Sequence, residues 1–198
     1  MPILADMPVY KGKPEKRPVL KVQSNFQNSS VYESKLELNL HTGTHMDSTL
    51  HMMEGGATID TIDLTEVVTS CKVLDLTEVK EKITKEDLMS KKIEQGDFIL
   101  LKTRNSFEDI LESDFVFLDK TGAKYLSSLQ IKGIGIDALG IERSQPGHET
   151  HLTLMASRIH ILEGLRLKEV EEGEYFLFAA PISIPGAEAA PVKAILLQ

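Results

Sequence analysis

The chain has one cysteine, Cys71, so no internal disulfide can form. That fits a reducing compartment, and a cytoplasmic location is expected. Cys71 opens the strand-like run CKVLDL and reads as a small buried apolar residue rather than a nucleophile. No apolar run approaches the length of a membrane span. The N-terminal MPILADMPVYKGKPEKRP shows no apolar segment behind a basic one, so no signal peptide is apparent. Basic residues are in deficit: 22 Lys and Arg face 30 Asp and Glu, a net charge of −8. A nucleic-acid partner needs a basic footprint and is not expected. HExxH is missing, and HETH at 148–151 is one residue too short for a zincin-type helix site. GxSxG is missing too, which disfavours a serine hydrolase.

What is present suits one domain spanning 1–198, with 41% hydrophobic and 26% charged residues. A chain of 198 residues can bury a sizeable core without disulfides or a structural metal. Residues 1–18 hold four of the eight prolines and read as an extended, turn-rich arm. Strand patterns follow in PVLKVQS and in VYESKLELNLHTG, where Leu36, Leu38 and Leu40 alternate onto one expected core face. Further strands are expected in CKVLDL, DFILLKT, FVFLD, GIGID, RIHILEGL, YFLFAAPISI and APVKAILLQ. Thr84 with Asp87 forms a capping-box pattern, Thr121 is placed to open a helix to about Gln130, and ETHLTLMAS reads as helix. Strands mixed with a few short helices give an α/β or α+β chain.

The densest chemistry lies in HTGTHMDSTLH, which holds three of the six histidines. If the leucines face a core, the odd positions His41, Gly43, His45 and Asp47 share the opposite side of an extended segment. Two imidazoles and a carboxylate suit a borderline divalent ion such as Zn, Mn, Fe or Ni. Three protein ligands leave a position for water, the pattern of a catalytic site. His51 fits either a fourth ligand or a general acid/base. Glu163, inside the apolar run HILEGL, needs a partner or an ion if it is buried, though alone it reads better as an exposed strand end.

HTGTHMDSTLH resembles the HxGTHxDxPxH signature of the cyclase-like metal-dependent hydrolases, a family that includes bacterial kynurenine formamidases and isatin hydrolases. MPVYKGKP is similar to that family's MPVWPGDP-like segment, GIDALGIE to its GxDxxSxD segment, and His151 with Glu163 to its second ligand pair. EGLRLKEVEEGEYFLFAAPISI and APVKAILL resemble its closing strands. The resemblance implies a swivelling β/β/α-type mixed β core with helices packed outside, and a homodimer or larger homo-oligomer. It implies two divalent metal ions, zinc or alternatively manganese, held by His41, His45, Asp47, His151 and Glu163, with Asp47 reaching both ions. His51 becomes the general acid/base and Tyr10 an aromatic wall for a small-molecule substrate. The implied reaction is hydrolysis of an amide-type C–N bond by an activated water, with N-formylkynurenine giving kynurenine and formate. Opening of a cyclic amide or lactone, and a non-catalytic metal-binding scaffold, are the competing readings. Three positions depart from the family pattern. Thr49 replaces proline, KGKP replaces PGDP, and Gly140 replaces serine. None removes a ligand. His148 and His160 read as surface residues or as supports for ligating imidazoles.

Overall fold

The structure, a computed structural model, describes residues 1–108 and 114–198. In chain order the strands begin with a hairpin, β1 (Val19–Ser24) and β2 (Glu33–Glu37), followed by β3 (His45–Asp47), β4 (Val68–Asp75), β5 (Lys82–Ile83) and β6 (Phe98–Lys102). Then come β7 (Phe117–Leu118), β8 (Gly133–Ile136), β9 (His160–Glu163), β10 (Gly173–Phe178), β11 (Ala189–Pro191) and β12 (Ile195–Leu197). The helices are α1 (Leu64–Val67), α2 (Lys85–Met89), α3 (Lys120–Leu129) and α4 (Glu149–Ala156).

Eight strands form one mixed sheet in the order β11-β3-β9-β8-β6-β4-β10-β12. The centre, β4 to β6 to β8 to β9, is parallel. The other pairings in this sheet are antiparallel. Residues 192–194 link β11 at one edge to β12 at the other. That link spans at most about 14 Å. A flat sheet of this width would hold its edge strands about 34 Å apart. The sheet is therefore strongly curled, and a bridge between Pro181 and Val192 helps draw its edges together.

Residue alternation in the buried strands divides the core between the two faces. Ile99, Leu101, Ile134, Ile136 and Ile161 pack with Leu126 of α3 and Leu154 of α4. Their neighbours Phe98, Leu100 and Leu162 pack with Met46, Leu177 and Val192 on the other face. The strands buried on both sides are the near-continuous apolar runs that a parallel sheet requires.

Several boundaries differ from the sequence reading. Helix α3 starts at Lys120, because Asp119 rather than Thr121 is the cap: its Oδ1 accepts from Thr121 N at 2.7 Å and Gly122 N at 3.0 Å. At α2 the capping pattern is as expected, with Asp87 Oδ2 accepting from Thr84 N at 2.7 Å. APVKAILLQ is two short strands at opposite sheet edges, and YFLFAAPISI leaves the sheet after Phe178. VYESKLELNLHTG is strand only over Glu33–Glu37. There Leu36 is 48% exposed instead of buried, because β2 pairs with β1 alone, outside the main sheet.

Candidate metal centre

Strand β3 lies between β9 and β11, with His45 opposite Glu163 and Asp47 opposite Ile161. Directly opposed residues share a face, as do positions two apart. His45, Asp47 and Glu163 therefore project together on the side covered by α4, while Met46 enters the other core. Helix α4 brings His151 to the same space: its Nε2 is 3.4 Å from Glu163 Oε1 and 3.7 Å from Asp47 Oδ2. His45 Nε2 lies 3.2 Å from Glu163 Oε2 and 3.4 Å from Asp47 Oδ1.

His41 does not extend the strand, as the alternation had predicted. It reaches the site from a turn in which Gly43 has φ +75° and closes to put His41 Nδ1 3.0 Å from Asp47 Oδ1. Gly164, at φ +71°, makes this turn possible, since a Cβ there would fall 2.1 Å from the Gly43 carbonyl oxygen. His51 stands on a short 3-10 turn after β3, its ring centroid 4.0 Å from that of His41 and 5.7 Å from that of His151.

Among the described residues, these groups form two donor triads that share Asp47. His41, His45 and Asp47 make one, and Asp47, His51 and His151 the other; within each, the donor atoms lie within 4.8 Å of one another. His41 Nε2, His45 Nε2 and both Asp47 oxygens are buried with no hydrogen-bond partner. Orphaned buried polar atoms cost free energy unless something else engages them. Nitrogen and carboxylate lone pairs converging on one point fit a divalent cation. The tautomer of His45 agrees, because Nδ1–H can donate to the Gly43 carbonyl at 3.0 Å and leave Nε2 facing the carboxylates.

The electrostatics describe a trap for positive charge. Burial opposes charge on His45, but the Asp47 and Glu163 carboxylates outweigh it and raise the imidazole to about 10. Burial also works against the His151 cation, yet Asp47, Glu142 and Glu163 hold it well above the ordinary imidazole value. Glu163, opposed by burial and by the Asp47 charge, is drawn down to about 2 by His151 and His45. Asp47 falls well below the usual carboxylate range because His151, His41 and His45 outweigh its burial. Two carboxylates thus demand cations in a place with almost no water. His51 behaves differently: burial lowers its pKa, so it is a neutral base at neutral pH.

Glu142 was not singled out from the sequence. Its Oε1 lies 3.3 Å from His151 Nδ1 and 2.5 Å from His148 Nδ1, and its Oε2 accepts from the Thr150 and His151 amides. It fixes the first turn of α4 through those amides and pairs with the His151 ring, although His151 Nδ1 makes no well-formed hydrogen bond. The available signal was its place at the end of GIDALGIE, where the family pattern carries an acid. His160 is apart from the site, paired with Glu66 at 2.6 Å. Cys71 is buried and its thiol is pushed up to about 12 by that burial, consistent with a packing role.

Beside the donors is a cavity of about 140 Å³, lined in part by Tyr10, Lys16, His51, Met52, Leu139 and Gly140. Tyr10 forms one wall, its hydroxyl accepting from Ser144 N at 3.3 Å. Gly140 lies on the floor, where a Cβ would stand 3.0 Å from the Glu142 carbonyl oxygen, 3.7 Å from the Tyr10 ring and 3.9 Å from Glu163 Oε1.

The chain is similar over most of its length to several known proteins. A kynurenine formamidase from Bacillus cereus is 30% identical over 176 residues, covering 86% of this chain and 82% of its own. The solved structure of a predicted metal-dependent hydrolase from Bacillus stearothermophilus is 51% identical, with a TM-score of 0.90 over 99% of this chain and 94% of that one. Isatin hydrolase A from Labrenzia aggregata, at 19% identity, shares the fold with a TM-score of 0.84 over 99% of this chain and 90% of its own. Residues 1–143 match the family model described as putative cyclase, and the chain belongs to that cyclase family.

Proposed function

We propose that this cyclase-family chain is a metal-dependent amidohydrolase that cleaves aryl formamides of the N-formylkynurenine type. The observation that carries the reading is the convergence of unpartnered, buried His41, His45 and Asp47 donor atoms beside a small cavity walled by Tyr10. His41, His45, Asp47, His151 and Glu163 would hold two divalent ions, zinc or manganese: Asp47 belongs to both donor triads, and Glu163, 3.2 Å from His45 and 3.4 Å from His151, would take the place of His51 in the second and leave His51 for proton transfer. Bound there, divalent ions supply Lewis-acid polarisation of a carbonyl and of water.

The chain's own groups then divide the remaining work. Asp47 and Glu163 provide the fixed negative charge that retains cations. Glu142 pairs with the His151 ring, its Oε1 3.3 Å from Nδ1. His51, neutral and half-buried at the cavity wall, accepts a proton from the attacking water and returns it to the leaving nitrogen. Tyr10 and Leu139 exclude water from the substrate's aromatic ring. The cavity, at about 140 Å³, is comparable in volume to one that accommodates a benzene ring, the size of the aryl portion of such a substrate.

The test is a side-by-side assay of N-formylkynurenine and isatin on protein loaded with zinc or manganese. Formate release from the formamide, with isatin untouched, is the expected result. Ring opening of isatin without formate release would replace the formamidase reading by that of a cyclic-amide hydrolase. Turnover of neither substrate by protein of proven metal content would remove both.

A further inference from the structure

One wall of the cavity beside the metal centre carries a charge that the proposed reaction does not use. Lys16 lines that cavity together with Tyr10, and its Nζ stands over the Tyr10 ring, 5.5 Å from the centroid. The carboxylates that share the lining are already engaged. Glu142 pairs with His148 and His151, and Glu163 with His45 and His151. Among the described residues no carboxylate pairs with Lys16. A half-buried cation set against an aromatic face is stabilised when an anion reaches it.

The backbone that bears this lysine is fixed on both sides. Lys16 N donates to the Lys13 carbonyl at 3.0 Å, and the Lys16 carbonyl accepts from Thr42 Oγ1 at 3.0 Å. Thr42 directly follows His41, so the turn that delivers a metal donor also anchors Lys16. A tethered lysine has less freedom to lose on pairing than one on an open surface.

Local charge points the same way. The chain as a whole is at −8, yet KGKPEKR, residues 11–17, holds four basic residues and one acid. Lys11 also stands over Tyr10, its Nζ 5.4 Å from the ring centroid. Where the PGDP pattern carries an acid, this chain has Lys13. The segment at the Tyr10 wall is thus positive in an otherwise negative protein, and such a patch draws in anionic ligands.

Size decides which part of a substrate meets the lysine. A cavity of about 140 Å³ is filled by one aromatic ring. Any longer substituent extends past the ring towards solvent, and Lys16, half-buried, lies on that border. We propose that Lys16 is a specificity-determining residue that pairs with a carboxylate on the substrate's aryl side, away from the scissile bond. The enzyme then selects anionic aryl formamides over neutral ones of the same shape. This inference rests on the formamidase reading and narrows its substrate class. An uncharged ring such as isatin brings no charge for Lys16 to pair with.

The test uses the full-length, metal-loaded protein and two compounds of one shape. One is the desamino analogue of N-formylkynurenine, which keeps the side-chain carboxylate; the other is the primary amide of that acid. Wild type is expected to prefer the acid in kcat/KM. Lys16→Met keeps an apolar stem beside Tyr10 and is expected to lower that preference about tenfold, chiefly through KM. Lys16→Arg should retain it, and elemental analysis should find the same metal content in all three proteins. A wild type indifferent to the carboxylate, or a Lys16→Met loss shared equally by acid and amide, would overturn the role of Lys16. If neither compound is cleaved, the formamidase reading fails, and calorimetric titration with the deformylated acid and its amide decides the lysine separately. Binding of the acid that Lys16→Met weakens about tenfold, with the amide unaffected, would sustain the anion site. Equal binding of the acid by both proteins, or none by either, would overturn it.

Discussion

Asp47 carries the largest share of the site at the scale of single residues. Both of its oxygens are buried, it adjoins three imidazoles, and it belongs to both donor triads. Asp47→Ala is expected to abolish ion retention and turnover together; a variant that keeps its ions would remove Asp47 from the shared position. His51→Ala should retain its ions while kcat falls by about 10²–10⁴-fold, the usual loss for a general acid/base. Steady-state kinetics alongside metal analysis separates these two outcomes, and unchanged turnover would exclude His51 from proton transfer. Glu142→Gln weakens the hold on the His151 ring and is expected to lower metal affinity by about 10–100-fold. Competition with a fluorescent chelator measures it. Most of these residues were legible in the sequence because ligand chemistry restricts residue type: few soluble segments place three histidines and an aspartate within eleven residues. Glu142 was not, because its role depends on α4 returning over the sheet, a contact between segments that no local pattern encodes.

The elements set the spacing of those residues. The β3–β9 ladder opposes His45 to Glu163, and the Gly43 turn packs on Gly164 so closely that no Cβ fits between them. Gly164→Ala is expected to cost on the order of 2–4 kcal/mol and to disrupt ion binding with it. Asp119→Ala serves as the contrast. Loss of the α3 cap should cost about 1 kcal/mol, visible in a urea titration, while kcat/KM stays unchanged. Buried strands such as β6 and β8 were readable from their continuous apolar runs. The two hairpin strands were readable as well, but not their covered face: the alternation is real while the apolar side turns outward, so Leu36 follows the period-two pattern and still meets solvent. Periodicity reports that a strand has two faces, and only tertiary structure decides which face is covered. The split of APVKAILLQ has a similar origin, since the curl of the whole sheet carries its halves to opposite edges.

For the whole molecule, the buried charges make stability depend on pH and on metal. Without an ion, Glu163 is lowered to about 2, so its contribution is present above the ordinary 4.5 and is lost as pH falls towards 2. His45 is raised to about 10, so its contribution is present below 6.5 and is lost as pH rises towards 10. The ion-free chain is therefore expected to be most stable between about pH 4.5 and 6.5. A bound cation takes the place of those protons, so the gain in Tm on adding zinc should increase from pH 6 to pH 8. Scanning fluorimetry with chelator and with zinc follows both trends, and a zinc gain independent of pH would show that metal does not compete with protons at His45 and His151.

The most direct measurement is the metal content of wild type and Asp47→Ala, by elemental analysis of protein purified without chelators or metal-affinity resin. Wild type is predicted to carry close to two zinc or manganese ions per chain and the variant almost none. Wild type free of metal, even after zinc and manganese are supplied, would contradict the reading of HTGTHMDSTLH as a metal centre.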